Sequence, residues 1–126
     1  NPSGALTSLA RRQAILEMAV KHDTLIVEDD PYGDLYFGDA PPPSLLALAD
    51  TVAGARDRLV HCGSLSKVLS PGLRVGWMVA PAELLAKATM CKQFSDAHTS
   101  TFAQATAAQY LKAGRMPATL ARVRKV

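Results

Sequence analysis

The sequence predicts an α/β fold with a mostly parallel sheet flanked by helices. Three observations predict it. Short apolar runs lack the polar alternation of a half-exposed strand, stretches of helical period surround them, and turn or cap residues mark the joints.

The opening Asn1-Pro2-Ser3-Gly4 is turn chemistry. A helix is expected from about Thr7 to His22, with Leu9, Leu16 and Val20 on one face and Arg11, Arg12, Glu17 and Lys21 toward water. Thr24-Leu25-Ile26-Val27 then reads as a strand covered on both faces, as in a parallel sheet. A polar loop containing Pro41-Pro42-Pro43 leads to a second such run, Leu59-Val60-His61-Cys62. A third run, Leu73 to Ala80, is broken by Gly76. Beyond it the chain reads as helical. Pro81 suits a first turn ahead of Leu84, Leu85, Ala88 and Met90. Thr101 and Gln104 have capping-box spacing, Gly114 suits a stop, and Pro117 can open a last helix. Three strands make a small open sheet, and the abrupt start without Met suggests a piece of a longer protein.

Composition narrows the function classes. The 126 residues, 48% hydrophobic and 20% charged, fit one modest globular domain. The net charge of +3 is spread along the chain. The basic end, Arg115 to Lys125, has no interleaved aromatic residues and reads as a solvated helix face rather than a nucleic-acid patch. No apolar run approaches the ~20 residues of a membrane span. Cys62 and Cys91 read as buried free thiols, and His22, His61 and His98 lack metal-ligand spacing.

The reactive side chains share one placement. Asp29, Asp30 and Tyr32 follow the first apolar run, and Ser64, Ser66 and Lys67 follow the second. In open α/β sheets the ligand crevice lies outside the carboxyl ends of the strands. An acid, a phenol, hydroxyls and an amine on one rim suit an anionic, nitrogen-containing cofactor. A lysine amine can condense with an aldehyde. A carboxylate can keep a pyridine nitrogen protonated. Serine hydroxyls and the planar fork of Arg74 suit a phosphate.

Four segments together carry a resemblance. Asn1-Pro2-Ser3-Gly4, Glu28-Asp29-Asp30-Pro31-Tyr32-Gly33-Asp34-Leu35, Gly63-Ser64-Leu65-Ser66-Lys67 and Pro71-Gly72-Leu73-Arg74-Val75-Gly76-Trp77 resemble, in order and spacing, the signatures of class I/II aminotransferases of fold type I. The closest likeness is to the 2-aminoadipate, kynurenine and aromatic aminotransferase branch. The match covers nearly the whole chain. It implies that residues 1–126 are part of the large, pyridoxal 5'-phosphate-binding domain, with an N-terminal part and a C-terminal small domain lying outside them. It implies Lys67 as the Schiff-base lysine, Asp29 as partner of the pyridinium nitrogen, and Asn1 and Tyr32 as ligands of the ring oxygen. Ser64, Ser66 and Arg74 match phosphate ligands, and Asp30 is the neighbouring acid rather than the pyridinium partner. Ser70 and Leu65 stand where many relatives have alanine and phenylalanine, and neither change removes a needed group.

The implied activity is amino-group transfer between an amino acid and a 2-oxo acid by a cytoplasmic homodimer, with these 126 residues inactive alone. Two other readings share the fold. One is the cofactor-sensing domain of a winged-helix transcription regulator, and the other a pyridoxal-phosphate lyase or decarboxylase. Taken singly, each residue has an ordinary use: Lys67 and Arg74 as surface cations, Asp29 as a cap, Tyr32 as packing, Asn1, Ser64 and Ser66 as turn or loop groups. Ser64-Leu65-Ser66-Lys67 also fits the S-x-x-K of penicillin-recognising enzymes, but their K-T-G element is missing, and no P-loop pattern is present.

Overall fold

In a computed structural model, described for residues 4–40 and 42–125, five helices and three strands run in the order α1 (Leu9–Lys21), β1 (Ile26–Asp29), α2 (Leu45–Leu48), β2 (Leu59–Ser64), β3 (Gly76–Val79), α3 (Ala82–Asp96), α4 (Thr101–Lys112) and α5 (Met116–Val123). Asn1, assigned to the cofactor by sequence, lies outside the described residues. The sheet order is β1-β2-β3. β1 and β2 are parallel, with Ile26 opposite Leu59 and Asp29 opposite Cys62. β3 returns antiparallel to β2, with Gly63 opposite Trp77. The sheet is therefore mixed: the connection from Ser64 to Gly76 holds no helix long enough for the crossover a parallel neighbour needs.

Helix α1 begins where Ser8 accepts from the Arg11 backbone N–H. It buries Leu16 and Ala19, while Leu9, expected on the inner face, is half exposed because it stands in the first turn, beyond the core. Strand β1 sits two residues later than the apolar run suggests. Thr24 still bonds back to Ala19 of the helix, and the ladder runs on to Asp29. It is also not covered on both faces. Ile26 and Glu28 turn inward and Val27 is largely exposed.

The polar stretch between β1 and β2 contains structure that composition concealed. Ser44 caps α2, and two 3-10 turns follow at Ala49–Thr51 and Ala55–Arg58. Leu16, Leu45, Ala49, Ala55 and Leu59 form one core cluster. A second cluster of Leu65, Val68 and Ala107 lies under the turn after β2, with Leu35, Leu73, Met116 and Leu120 packed on it. Thus α4 and α5 support the far side of that turn. Arg124, just past α5, donates from Nε and Nη2 to the carbonyl of Asp34, at 2.9 and 2.7 Å, and lies 4.0 Å from the Tyr36 ring centre.

Helix α3 buries no residue, so its Leu85 and Met90 remain exposed and Cys91 is an exposed thiol rather than a buried one; Cys62 is partly buried. Ser100, not Thr101, caps α4, and Gln104 bonds to the Thr99 carbonyl. Gly114 ends α4 in the left-handed region, and proline opens α5, as expected.

Candidate cofactor site

Side chains alternate across a strand, and partners in register share a face. Asp29 pairs with Cys62, and Ser64 lies two residues further along, so Asp29 and Ser64 share one face at the carboxyl ends of adjacent parallel strands. Glu28 and His61 occupy the opposite face. The Asp30 N–H continues the ladder to the Cys62 carbonyl, which turns the Asp30 side chain toward Glu28 and away from Asp29. The two neighbouring acids are thereby separated by the pleat.

Lys67 follows β2 in a single tight turn. The N–H groups of Leu69 and Ser70 both donate to the Leu65 carbonyl. Leu65 and Val68 are buried as anchors, which leaves the Lys67 side chain outward. Its ammonium lies 5.7 Å from the centre of the Tyr32 ring, so residues from the two strand ends meet. Ser64 Oγ accepts from the Ser66 N–H at 3.1 Å. Arg74 Nη1 donates to Ser66 Oγ at 3.4 Å and to the Pro71 carbonyl at 3.3 Å. Arg74 has φ 53 and ψ 37, a left-handed backbone that side-chain-bearing residues seldom adopt. Such strain concentrates at functional sites. The other guanidinium nitrogens of Arg74 and the Asp29 carboxylate make no hydrogen bond or ion pair to a described residue. A free carboxylate, an amine beside a phenol, and a hydroxyl–guanidinium pair with spare donors fit a phosphorylated pyridine aldehyde.

The other face holds groups that the sequence reading passed over. Glu28 accepts from the Leu45 N–H at 2.7 Å, the Leu46 N–H at 3.2 Å and His61 Nδ1 at 2.8 Å, with Arg12 at 3.8 Å. One carboxylate thus ties β1, β2, α1 and the start of α2 together. In the sequence it stands only as the first residue of the motif that runs from Glu28 to Leu35. A cleft of about 350 Å³ opens around the strand ends, lined by Asp30, Asp34, Ser44, His61, Ser64 and Trp77. Its overlap with the sequence-derived site is Ser64 alone; Asp29 and Lys67 stand on open surface. Partial burial, reinforced by the Glu28 charge, pushes the Asp30 carboxyl above its ordinary range. Among the described residues no group of His, Cys, Asp and Glu could hold a metal ion, and no helix is long and apolar enough to cross a membrane.

Comparison with known proteins gives consistent matches. The family described as aminotransferase class I and II matches residues 1–125. A 2-aminoadipate transaminase of Thermus thermophilus is 44% identical over the whole chain, which covers 31% of that protein. An uncharacterized HTH-type transcriptional regulator of Bacillus subtilis is 35% identical over 90% of the chain, covering 22% of the regulator. The crystal structure of an α-aminoadipate aminotransferase from Thermus thermophilus, complexed with N-(5'-phosphopyridoxyl)-L-leucine, superposes with a TM-score of 0.89 at 42% identity, over 98% of this chain and 31% of that one. The chain therefore spans about a third or less of the proteins it matches.

Proposed function

The chain belongs to the class I and II aminotransferases, and on that premise we propose that the full-length protein transfers an amino group between an amino acid and a 2-oxo acid, using pyridoxal 5'-phosphate carried on Lys67. Residues 1–126 are then part of the cofactor-binding large domain. One observation carries the reading: Asp29 and Ser64 share a face at neighbouring strand ends, and Lys67 reaches the Tyr32 ring beside them. The neighbour that holds a phosphopyridoxyl compound supports the choice of cofactor.

When bound, pyridoxal phosphate supplies an aldehyde carbon that takes up an amino group and a ring that draws electrons from the carbon next to it. The residues do the rest. Lys67 Nζ would hold the cofactor and, when free of it, would serve as the base that takes up the proton from the substrate α-carbon. Asp29 keeps a proton on the ring nitrogen. The Tyr32 hydroxyl would donate to the ring oxygen, a role that the resemblance gives to Asn1 as well. Ser64, Ser66 and Arg74 grip the phosphate, so the reacting atoms are positioned beforehand.

A regulator domain that senses the same cofactor is the second reading, favoured by the regulator among the relatives. Both readings keep Lys67, and only the first turns over. The test is borohydride reduction of the full-length protein loaded with pyridoxal phosphate, followed by peptide mass mapping and an assay with amino donors and 2-oxo acids. Wild type should trap the adduct on Lys67 and transfer the amino group. Lys67→Ala should lose both the adduct and the visible absorption. An adduct on another lysine refutes the assignment, and an adduct without transfer favours the regulator. Homodimerisation and a cytoplasmic location belong to the same proposal, to be tested by sedimentation and by cell fractionation.

A further inference from the structure

We infer that Arg124 is a positioning residue for Tyr32, and through it for the environment of the Lys67 amine; this rests on the function proposed above. The segment 30–36 carries Tyr32 between two anchors. At its start, the Asp30 N–H bonds to the Cys62 carbonyl at the end of β2. At its end, Arg124 sends two donors to the Asp34 carbonyl and lays its guanidinium 4.0 Å from the Tyr36 ring centre. Between the anchors the Leu35 N–H closes a turn onto the Tyr32 carbonyl at 2.7 Å, so a displacement at Asp34 is passed directly to Tyr32. Leu35 packs on the Leu65–Val68 cluster, the same turn that presents Lys67. Tyr32 and Lys67 therefore rest on one support, and Arg124 fixes the tyrosine side of it.

The residue type is specific to the task. A guanidinium can place two N–H groups on one carbonyl while stacking its plane on a ring; an ammonium can match the charge but not the fork or the plane. Among the described residues Arg124 has no hydrogen bond, ion pair or ring contact with Lys67 or with a proposed ligand of the cofactor, so its effect has to run through the loop that carries Tyr32. The contact joins residues 90 positions apart and is missed by any local reading of the sequence.

The test uses full-length protein loaded with pyridoxal phosphate and reads the pH midpoint of the visible absorption of the cofactor bound through Lys67. A purely structural role would lower stability without moving that midpoint. Tyr32→Phe sets the reference shift, since it removes the phenol from the ring oxygen. Arg124→Ala should shift the midpoint in the same direction by several tenths of a pH unit, and the double variant should match Tyr32→Phe alone, because the two changes act on one group. Arg124→Lys, which keeps the charge and the fold, should recover only part of the shift; it keeps the question open to measurement if Arg124→Ala does not fold. A wild-type midpoint in both Arg124 variants, or a shift that adds in full to that of Tyr32→Phe, overturns the inference while leaving the proposed function intact. Absence of any Lys67 adduct in wild type overturns both.

Discussion

Replacing Glu28 should be among the most damaging single changes in the chain, although the proposed chemistry does not use it. Its carboxylate accepts from Leu45 N–H, Leu46 N–H and His61 Nδ1, with Arg12 beyond, and its side chain is only 10% exposed. Hydrogen bonds to a charged group contribute about 1.5–3 kcal/mol each, and they do not add simply. Removing one member of a buried charged pair typically costs about 3–5 kcal/mol. Glu28→Ala should therefore lose about 3–5 kcal/mol, a large share of a total stability of about 5–15 kcal/mol. Glu28→Gln keeps the shape and one acceptor oxygen, and should lose about 1.5–3 kcal/mol. Urea unfolding gives the loss, provided the slope of the transition is unchanged. Hydrogen exchange of the peptide spanning Ser44 to Val52 gives its location, because the Leu45 and Leu46 amides lose their acceptor. An alanine variant within about 1 kcal/mol of wild type would refute the argument, since that is the ordinary scale of a point mutation. A glutamine variant as damaged as alanine would also refute it.

Other expectations follow from single contacts. A Cβ at Gly63 would overlap the Trp77 indole across the antiparallel pair, so Gly63→Ala should cost about 1–3 kcal/mol, and much less when combined with Trp77→Ala; equal cost in both backgrounds would exclude the overlap as the cause. Ala97, between α3 and α4, has φ 60 and ψ −61, so Ala97→Gly should raise stability by about 1 kcal/mol in thermal unfolding, and a lowered midpoint would refute this. The Asp30 carboxyl has a raised pKa, first from burial and then from Glu28. The folded state therefore binds that proton more tightly than the unfolded chain, and ionisation weakens the fold as pH rises past the ordinary carboxylate range. Asp30→Asn should be more stable than wild type at neutral pH, and the difference should vanish in acid; a gain that persists in acid would contradict the linkage.

Much of the site was legible because chemistry-bearing residues directly follow apolar runs. Asp29, Ser64 and Lys67 fall at strand ends for that reason. The pleat then separates Asp29 from Asp30, which one residue of register decides. What stayed hidden depends on partners distant in sequence. The apolar run marks the first strand two residues early, because it begins at Thr24, which is still tied to α1, and the last two members of the strand are acids. The short helix at Leu45 was masked by prolines and needs Glu28 from another element to complete its start. Cys91 looked buried because apolar neighbours surround it in sequence, yet α3 turns none of them into the core. The antiparallel return of β3 turns on the length of one connection rather than on the apolar content of the strand.

The bond from Arg124 to the Asp34 carbonyl also sets an order of events during synthesis. A ribosome adds roughly 5–20 residues per second. The 90 residues that separate the two partners thus take roughly 5–20 s to make. Late in that interval the first strand, its following loop and the lysine turn can already have left the ribosome, while the clamp that holds the loop's far end does not yet exist. The aromatic wall beside the lysine is completed late, after the strands that flank it.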